Sequence, residues 1–159
     1  MIGAGRNFYE LLHEWKSPPG TRDDKAVDEA AFEDWLDVVR KSCLESGHLR
    51  PAFSQIGHVL VYAPSDPIGL WIHTCYARAL DAIDAEAMRR GFRTELYNSR
   101  GVHGWSAGRE EKEIAAKYDN QALQLEASGF VRLATELRNL ADAYTRESER
   151  EANRDPYED

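Results

Sequence analysis

The tightest constraint on the fold is the spacing of five large apolar residues near the C-terminus. Phe130, Leu133, Leu137, Leu140 and Tyr144 follow one another at intervals of 3, 4, 3 and 4. Such a seam belongs to an α-helix packed at about 20° on a neighbour. Upstream, Ile114, Tyr118, Ala122 and Leu125 keep a helical period through Glu110 to Ala127, and only Ser128-Gly129 separates the two runs. An antiparallel helical hairpin over about residues 110–150 follows.

Helical periodicity runs through the rest of the chain, punctuated by proline and glycine. Asn7 to Lys16 sets Phe8, Leu11, Leu12 and Trp15 on one face, and Ser17-Pro18-Pro19-Gly20 ends it, so residues 1–20 read as an N-terminal helix or arm. Asp28 to Ser46 carries Phe32, Trp35, Leu36, Val39 and Cys43, with Gly47 as its C-terminal cap. Pro51 to Tyr62 keeps Phe53, Ile56 and Val59 or Leu60 in period. Val59-Leu60-Val61-Tyr62 is also the one credible strand, but no partner strand exists for it, which favours helix. Pro64 stops that helix, Asp66 is placed to cap the next and Pro67 suits its first turn, with Leu70, Trp71, Thr74, Cys75, Ala77, Arg78 and Leu80 behind them. Asp84 reads as another cap, ahead of Ala87, Met88 and Phe92. The predicted architecture is all-α. It is a single-domain bundle of about six or seven helices over residues 21–150, ending in the hairpin, with 151–159 a disordered acidic tail.

With 159 residues and 42% hydrophobic side chains, the chain is long enough and apolar enough to bury a core without staples. No apolar run approaches the ~18 residues of a membrane span, and the N-terminus lacks the apolar centre of a secretory signal. Cys43 and Cys75 lie inside helical patterns and read as reduced, buried thiols, consistent with a cytoplasmic protein. Twenty Lys plus Arg against 28 Asp plus Glu give −8, which argues against general nucleic-acid affinity. The charge is uneven. Asp23 to Asp37 holds seven acids and one base, whereas Arg89 to Arg100 holds four arginines and one acid. Both runs also read simply as solvated helix faces, Arg89 and Arg93 sharing one face of a salt-laced surface helix.

No P-loop, dinucleotide fingerprint, paired-histidine zinc motif or calcium loop is present. His73 and Cys75 are two apart on a helix and face different ways, so they do not share a metal, and no metal or cofactor is expected. Asp66 and His73 are seven apart, ~10 Å along a helix axis, too far for a base and its orienter. An Asp–His–Ser set would need Ser99 or Ser106 from the loop that follows.

That loop, Asn98 to Gly108, holds the strongest binding candidates. Arg100 offers a planar fork for a carboxylate or phosphate, and His103 and Trp105 add aromatic surface. Trp71, in an apolar segment, marks a partner surface if it is exposed and core if it is not. The internal alternative is that Asn98 ends its helix in a left-handed conformation, Arg100 pairs with a nearby acid and Trp105 plugs the core. The leading expectation is a non-catalytic helical protein–protein interaction module, an accessory or regulatory subunit of a bacterial cytoplasmic system. Its contact residues would be Arg100, His103, Trp105 and Trp71, and its partner a protein rather than nucleic acid or membrane. Two rivals stand beside it: a small enzyme using His73 or His103 with Arg100 on an anionic substrate, and an acidic decoy that occupies another protein's nucleic-acid site.

Overall fold

The structure is a computed structural model, and it describes residues 15–101 and 106–154. Among these residues every regular element is a helix, as the periodicity predicts, and the one extended pairing is an isolated bridge between Thr21 and Val27. The helices are α1 (Glu29–Ser46), α2 (Leu49–Leu60), α3 (Thr74–Asp81), α4 (Glu86–Asn98), α5 (Arg109–Ala127) and α6 (Val131–Ala152). Two compact units emerge, Met1–Glu95 and Leu96–Asp159, with the boundary inside α4. The expected first helix, Asn7 to Lys16, falls mostly outside the described residues.

In the first unit, Asp28 caps α1 by accepting the Ala31 N–H, and Gly47 closes it in the left-handed region at φ 75°. α2 starts two residues before Pro51, where that residue's missing N–H is not needed, and runs as helix through Val59 and Leu60. The segment after it departs from expectation: no helix starts at Pro67. Asp66 to Gly69 is a closed turn, with the Gly69 N–H on the Asp66 carbonyl at 3.0 Å and the Asp66 N–H on the Leu70 carbonyl at 2.8 Å. Proline at the second position of such a turn is as favourable as at a helix start, so local preference did not distinguish them. Asp66 still caps. Its carboxylate accepts the Ile68 N–H within the turn and both the N–H and the hydroxyl of Thr74, the first residue of α3. Burial works against this carboxylate, but the hydrogen bonds from Thr74 and Ile68 prevail and hold its pKa below the usual range. Asp84 carries an ion pair with Arg40 of α1.

α2 and α4 cross with their backbones nearly in contact. A Cβ on Gly57 would press into the Met88 carbonyl and lie 2.8 Å from the Phe92 nitrogen. A Cβ on Gly91 would meet Ser54 in the same way, 2.9 Å from its carbonyl carbon. Around this reciprocal pair, Phe53, Ile56 and Leu60 of α2 and Met88 and Phe92 of α4 are all buried. Arg89, expected on a surface face, is instead buried. Its Nη1 donates to the carbonyls of Leu80 and Ala82 at 2.8 and 2.6 Å, closing the C-terminal end of α3.

The second unit holds the predicted hairpin of α5 and α6. The turn carries Gly129 at φ 89°, with the Phe130 N–H on the Leu125 carbonyl. The buried seam of α6 runs through Leu133, Leu137, Leu140 and Tyr144. On α5 it runs through Glu111, Ala115, Tyr118, Ala122 and Leu125, so Ala115 and not Ile114 takes the inward position. The hairpin is stitched at its open end: Gly108 donates its N–H to Glu151 at 2.7 Å, and Ser148 donates to the Gly108 carbonyl at 2.7 Å. Gly108 has φ 81°, and a Cβ there would run into Ser148.

Candidate functional site

The base of the Asn98–Gly108 loop is built by residues of the second unit. α4 ends without a left-handed Asn98; Gly101 takes that role at φ 77°. Arg100 follows the helix and folds back, its side chain only 13% exposed. Its guanidinium binds Glu111, lies 3.7 Å from Oε2 of Glu147 and sits 5.2 Å from the centre of the Tyr144 ring. Ser106, at the far end of the loop, places its hydroxyl 3.1 Å from Oε2 of the same Glu111. One buried carboxylate therefore ties the two ends of the loop together.

Burial alone would raise the Glu111 pKa, but hydrogen bonds from Arg100 and Ser106 leave it below the ordinary carboxylate range. Burial likewise opposes the charged form of Arg100, and Glu111 reverses that and raises its pKa. Tyr97 donates to Glu147 at 2.9 Å, and the rings of Tyr97 and Tyr118 flank Tyr144 at 5.6 and 5.9 Å. Tyr144 is fully buried with no hydrogen-bond partner for its hydroxyl, and burial pushes its pKa up to about 12. A cleft of about 340 Å³ opens here, lined by Arg100, Glu111, Glu147, Arg150, Glu151 and Arg154. Three arginines face three glutamates, a charge-balanced network.

Gly104-Trp105-Ser106-Ala107-Gly108 has the G-x-S-x-G spacing of a hydrolase nucleophile elbow. That motif works on a strand-to-helix turn with an imidazole at the hydroxyl. Among the described residues no strand precedes Ser106. Its hydroxyl faces Glu111 and Glu151 and accepts the Glu110 N–H at 3.3 Å, satisfying a first-turn N–H of α5, whose N-cap position is Gly108.

Of the predicted contact residues, His103 and Trp105 lie outside the described residues. Trp71 belongs to the first unit and is half-buried, its ring 6.0 Å from that of Phe92 and its indole N–H buried without an acceptor. His73, also in the first unit, is buried at the start of α3, where its Nδ1 accepts the Cys75 N–H at 3.3 Å. The same unit orients a second imidazole: Glu95 holds Nδ1 of His58 and the hydroxyl of Tyr62, each at 2.9 Å. Among the described residues no group of three or more His, Cys, Asp or Glu is placed to hold a metal. No described helix is long and apolar enough to cross a membrane.

Glu111, Glu147 and Glu151 escape a search for catalytic motifs, yet a signal for them exists. Carrying the α5 seam back from Leu125 in steps of 3 and 4 arrives at Glu111, and carrying the α6 seam past Tyr144 arrives at Glu147 and Glu151.

The first unit also carries an incompletely covered helix. α1 buries only Phe32 and Leu36, while Trp35, Val39 and Cys43 are half-covered. Val38 and Leu44 are 65% and 61% exposed. Ala31, Trp35 and Val38 form a second apolar stripe beside the buried one, bordered by Asp34 and Glu45.

Comparison of the chain with protein-family models, curated proteins and solved structures returns no match.

Proposed function

We propose that the protein is a non-catalytic helical interaction module, an accessory or regulatory subunit that docks on a protein partner. The observation that carries this reading is α1. Helices of this length in a compact unit turn an apolar face inward, and α1 carries a second apolar stripe, Ala31-Trp35-Val38, in which Ala31 and Val38 are exposed and Trp35 is half-covered by Trp15 and Phe32, with acids along its border. An amphipathic helix presenting anchors at i, i+4 and i+7 suits a grooved partner, with the acids selecting a basic rim. Arg100 holds the base of its loop by pairing with Glu111. The α1 stripe is therefore the contact surface of the proposal.

A tagged capture from host lysate tests it, with wild type beside Val38→Glu and Arg100→Gln and circular dichroism recorded for each. A stoichiometric partner retained by wild type and lost from Val38→Glu, with helicity intact, supports α1 as the surface. Loss from Arg100→Gln alone moves the surface to the loop, and no stoichiometric partner in any sample overturns the reading.

A further inference from the structure

A cleft of about 440 Å³ in the first unit lies between the segment preceding α1 and the end of α2. We propose that it binds a small organic anion carrying a phosphate group, an assignment that goes beyond the interaction reading and does not depend on it. The walls are cationic and hydroxylic: Lys16, Ser17, Thr21, Lys25, Tyr62 and Ser65 line the space, and among the described residues no carboxylate does. In a chain with 28 acids and a net charge of −8, a cleft lined by two lysines and, among the described residues, by no acid runs against the composition.

The Lys16 side chain and the Lys25 backbone are held, and neither lysine has an ion-pair partner among the described residues. The Lys16 ammonium sits 5.5 Å from the centre of the Tyr62 ring, a cation–π contact that keeps it at the cleft. Tyr62 is itself fixed by its bond to Glu95, whose carboxylate is committed to Tyr62 and His58. Lys25 has φ 69°, a left-handed backbone that glycine or asparagine would adopt with less strain. A tight turn imposes it: Arg22 donates to the Ala26 carbonyl at 2.8 Å, Lys25 to the Arg22 carbonyl at 2.9 Å, and Asp24 accepts the Ala26 N–H at 2.9 Å. Strain retained at a lysine that lines a cleft points to work for that residue.

The ligand class follows from the walls. Ammonium groups act as point charges for phosphate oxygens, and Ser17, with no hydrogen-bond partner for its hydroxyl among the described residues, adds a free donor. The Tyr62 ring with Pro18 and Pro64 supplies apolar surface for an organic body. The volume lies within the range of small-molecule sites.

The full chain, labelled with ¹⁵N, would be titrated with phenyl phosphate and separately with inorganic phosphate, at constant ionic strength set with sodium chloride. Saturable amide shifts confined to residues 15–25 and 61–66 are expected with phenyl phosphate, at least tenfold tighter than with inorganic phosphate. Lys25→Gly relieves the backbone strain while removing the ammonium. It should be at least as stable as wild type and bind phenyl phosphate at least tenfold more weakly, and Lys16→Gln should weaken binding to a similar degree. Unsaturable shifts, shifts centred elsewhere, equal affinity for inorganic phosphate, or wild-type affinity in both variants would overturn the assignment.

Discussion

Replacing Gly57 by alanine is a test in which the sign of the effect decides. On an exposed helix that substitution stabilises by about 1 kcal/mol, because glycine loses more backbone entropy on folding. At Gly57 the new methyl would lie 2.8 Å from the Phe92 nitrogen and closer still to the Met88 carbonyl oxygen. Ordinary contact begins at 3.4 Å. The neighbouring atoms belong to the backbone of α4, so no side chain can swing away, and the helices must part by more than half an ångström. A gap of roughly 0.5–1 Å forfeits a quarter to a half of each dispersion contact across it. The two helices contribute Phe53, Ile56, Leu60, Met88 and Phe92 to the core, all of them buried. Overpacking of this kind costs about 1–3 kcal/mol. With a backbone clash that no side chain can relieve, the cost falls toward the upper part of that range, about 2–3 kcal/mol, and the net expectation is a loss of about 1–2 kcal/mol where an exposed site would gain about 1. Urea unfolding followed by tryptophan fluorescence reads it directly, since Trp15, Trp35 and Trp71 all belong to the first unit. Gly91→Ala should move the midpoint in the same direction, and the double variant should cost less than the sum, because both methyls open one crossing. A Gly57→Ala protein as stable as wild type, or more so, would refute the close crossing.

Arg89→Met keeps the aliphatic packing and leaves the Leu80 and Ala82 carbonyls without their donor; a loss of about 2–4 kcal/mol in the same urea assay is expected. Glu111→Gln leaves the largely buried guanidinium of Arg100 undercompensated and should cost about 3 kcal/mol. Because removing both charges also removes the imbalance, Glu111→Met with Arg100→Met should recover most of that, and a double-mutant cycle that shows no coupling contradicts the ion pair. Asp66 and Glu111 have folded pKa values below those of the unfolded chain, near ~4. Their contribution to stability is complete above the unfolded values and disappears as pH falls through the folded ones. Stability should therefore drop below about pH 4, less steeply in Asp66→Asn, as read by urea midpoints between pH 3 and 7.

Helices were readable because their signal is local. The 3-and-4 spacing of Leu133, Leu137, Leu140 and Tyr144 reports a buried face whatever lies opposite. The segment around Asp66 resisted because proline and aspartate favour a turn and a helix start equally, and the deciding bond reaches eight residues on, to Thr74. The charged network was hidden for a related reason. Polar residues in an amphipathic pattern are read as solvent-facing, so Arg89 and Glu111, whose partners Leu80, Ala82 and Arg100 lie 7 to 11 residues away along the chain, look like ordinary surface charges. Arg100 stood out as a residue type but not as a partner of Glu111 and Glu147, because pairing across 11 and 47 residues leaves no trace in periodicity.

The two thiols differ in reach. Cys75 lies sealed in the core at the start of α3, where burial pushes its pKa up to about 12, while Cys43 is half-exposed on α1. A maleimide dye added near neutral pH will find only α1 open to it, because the sealed thiol offers neither access nor thiolate. The native chain thus carries a single chemical address on the helix proposed to meet a partner, and docking can be followed by the brightness or tumbling of that dye without changing a residue.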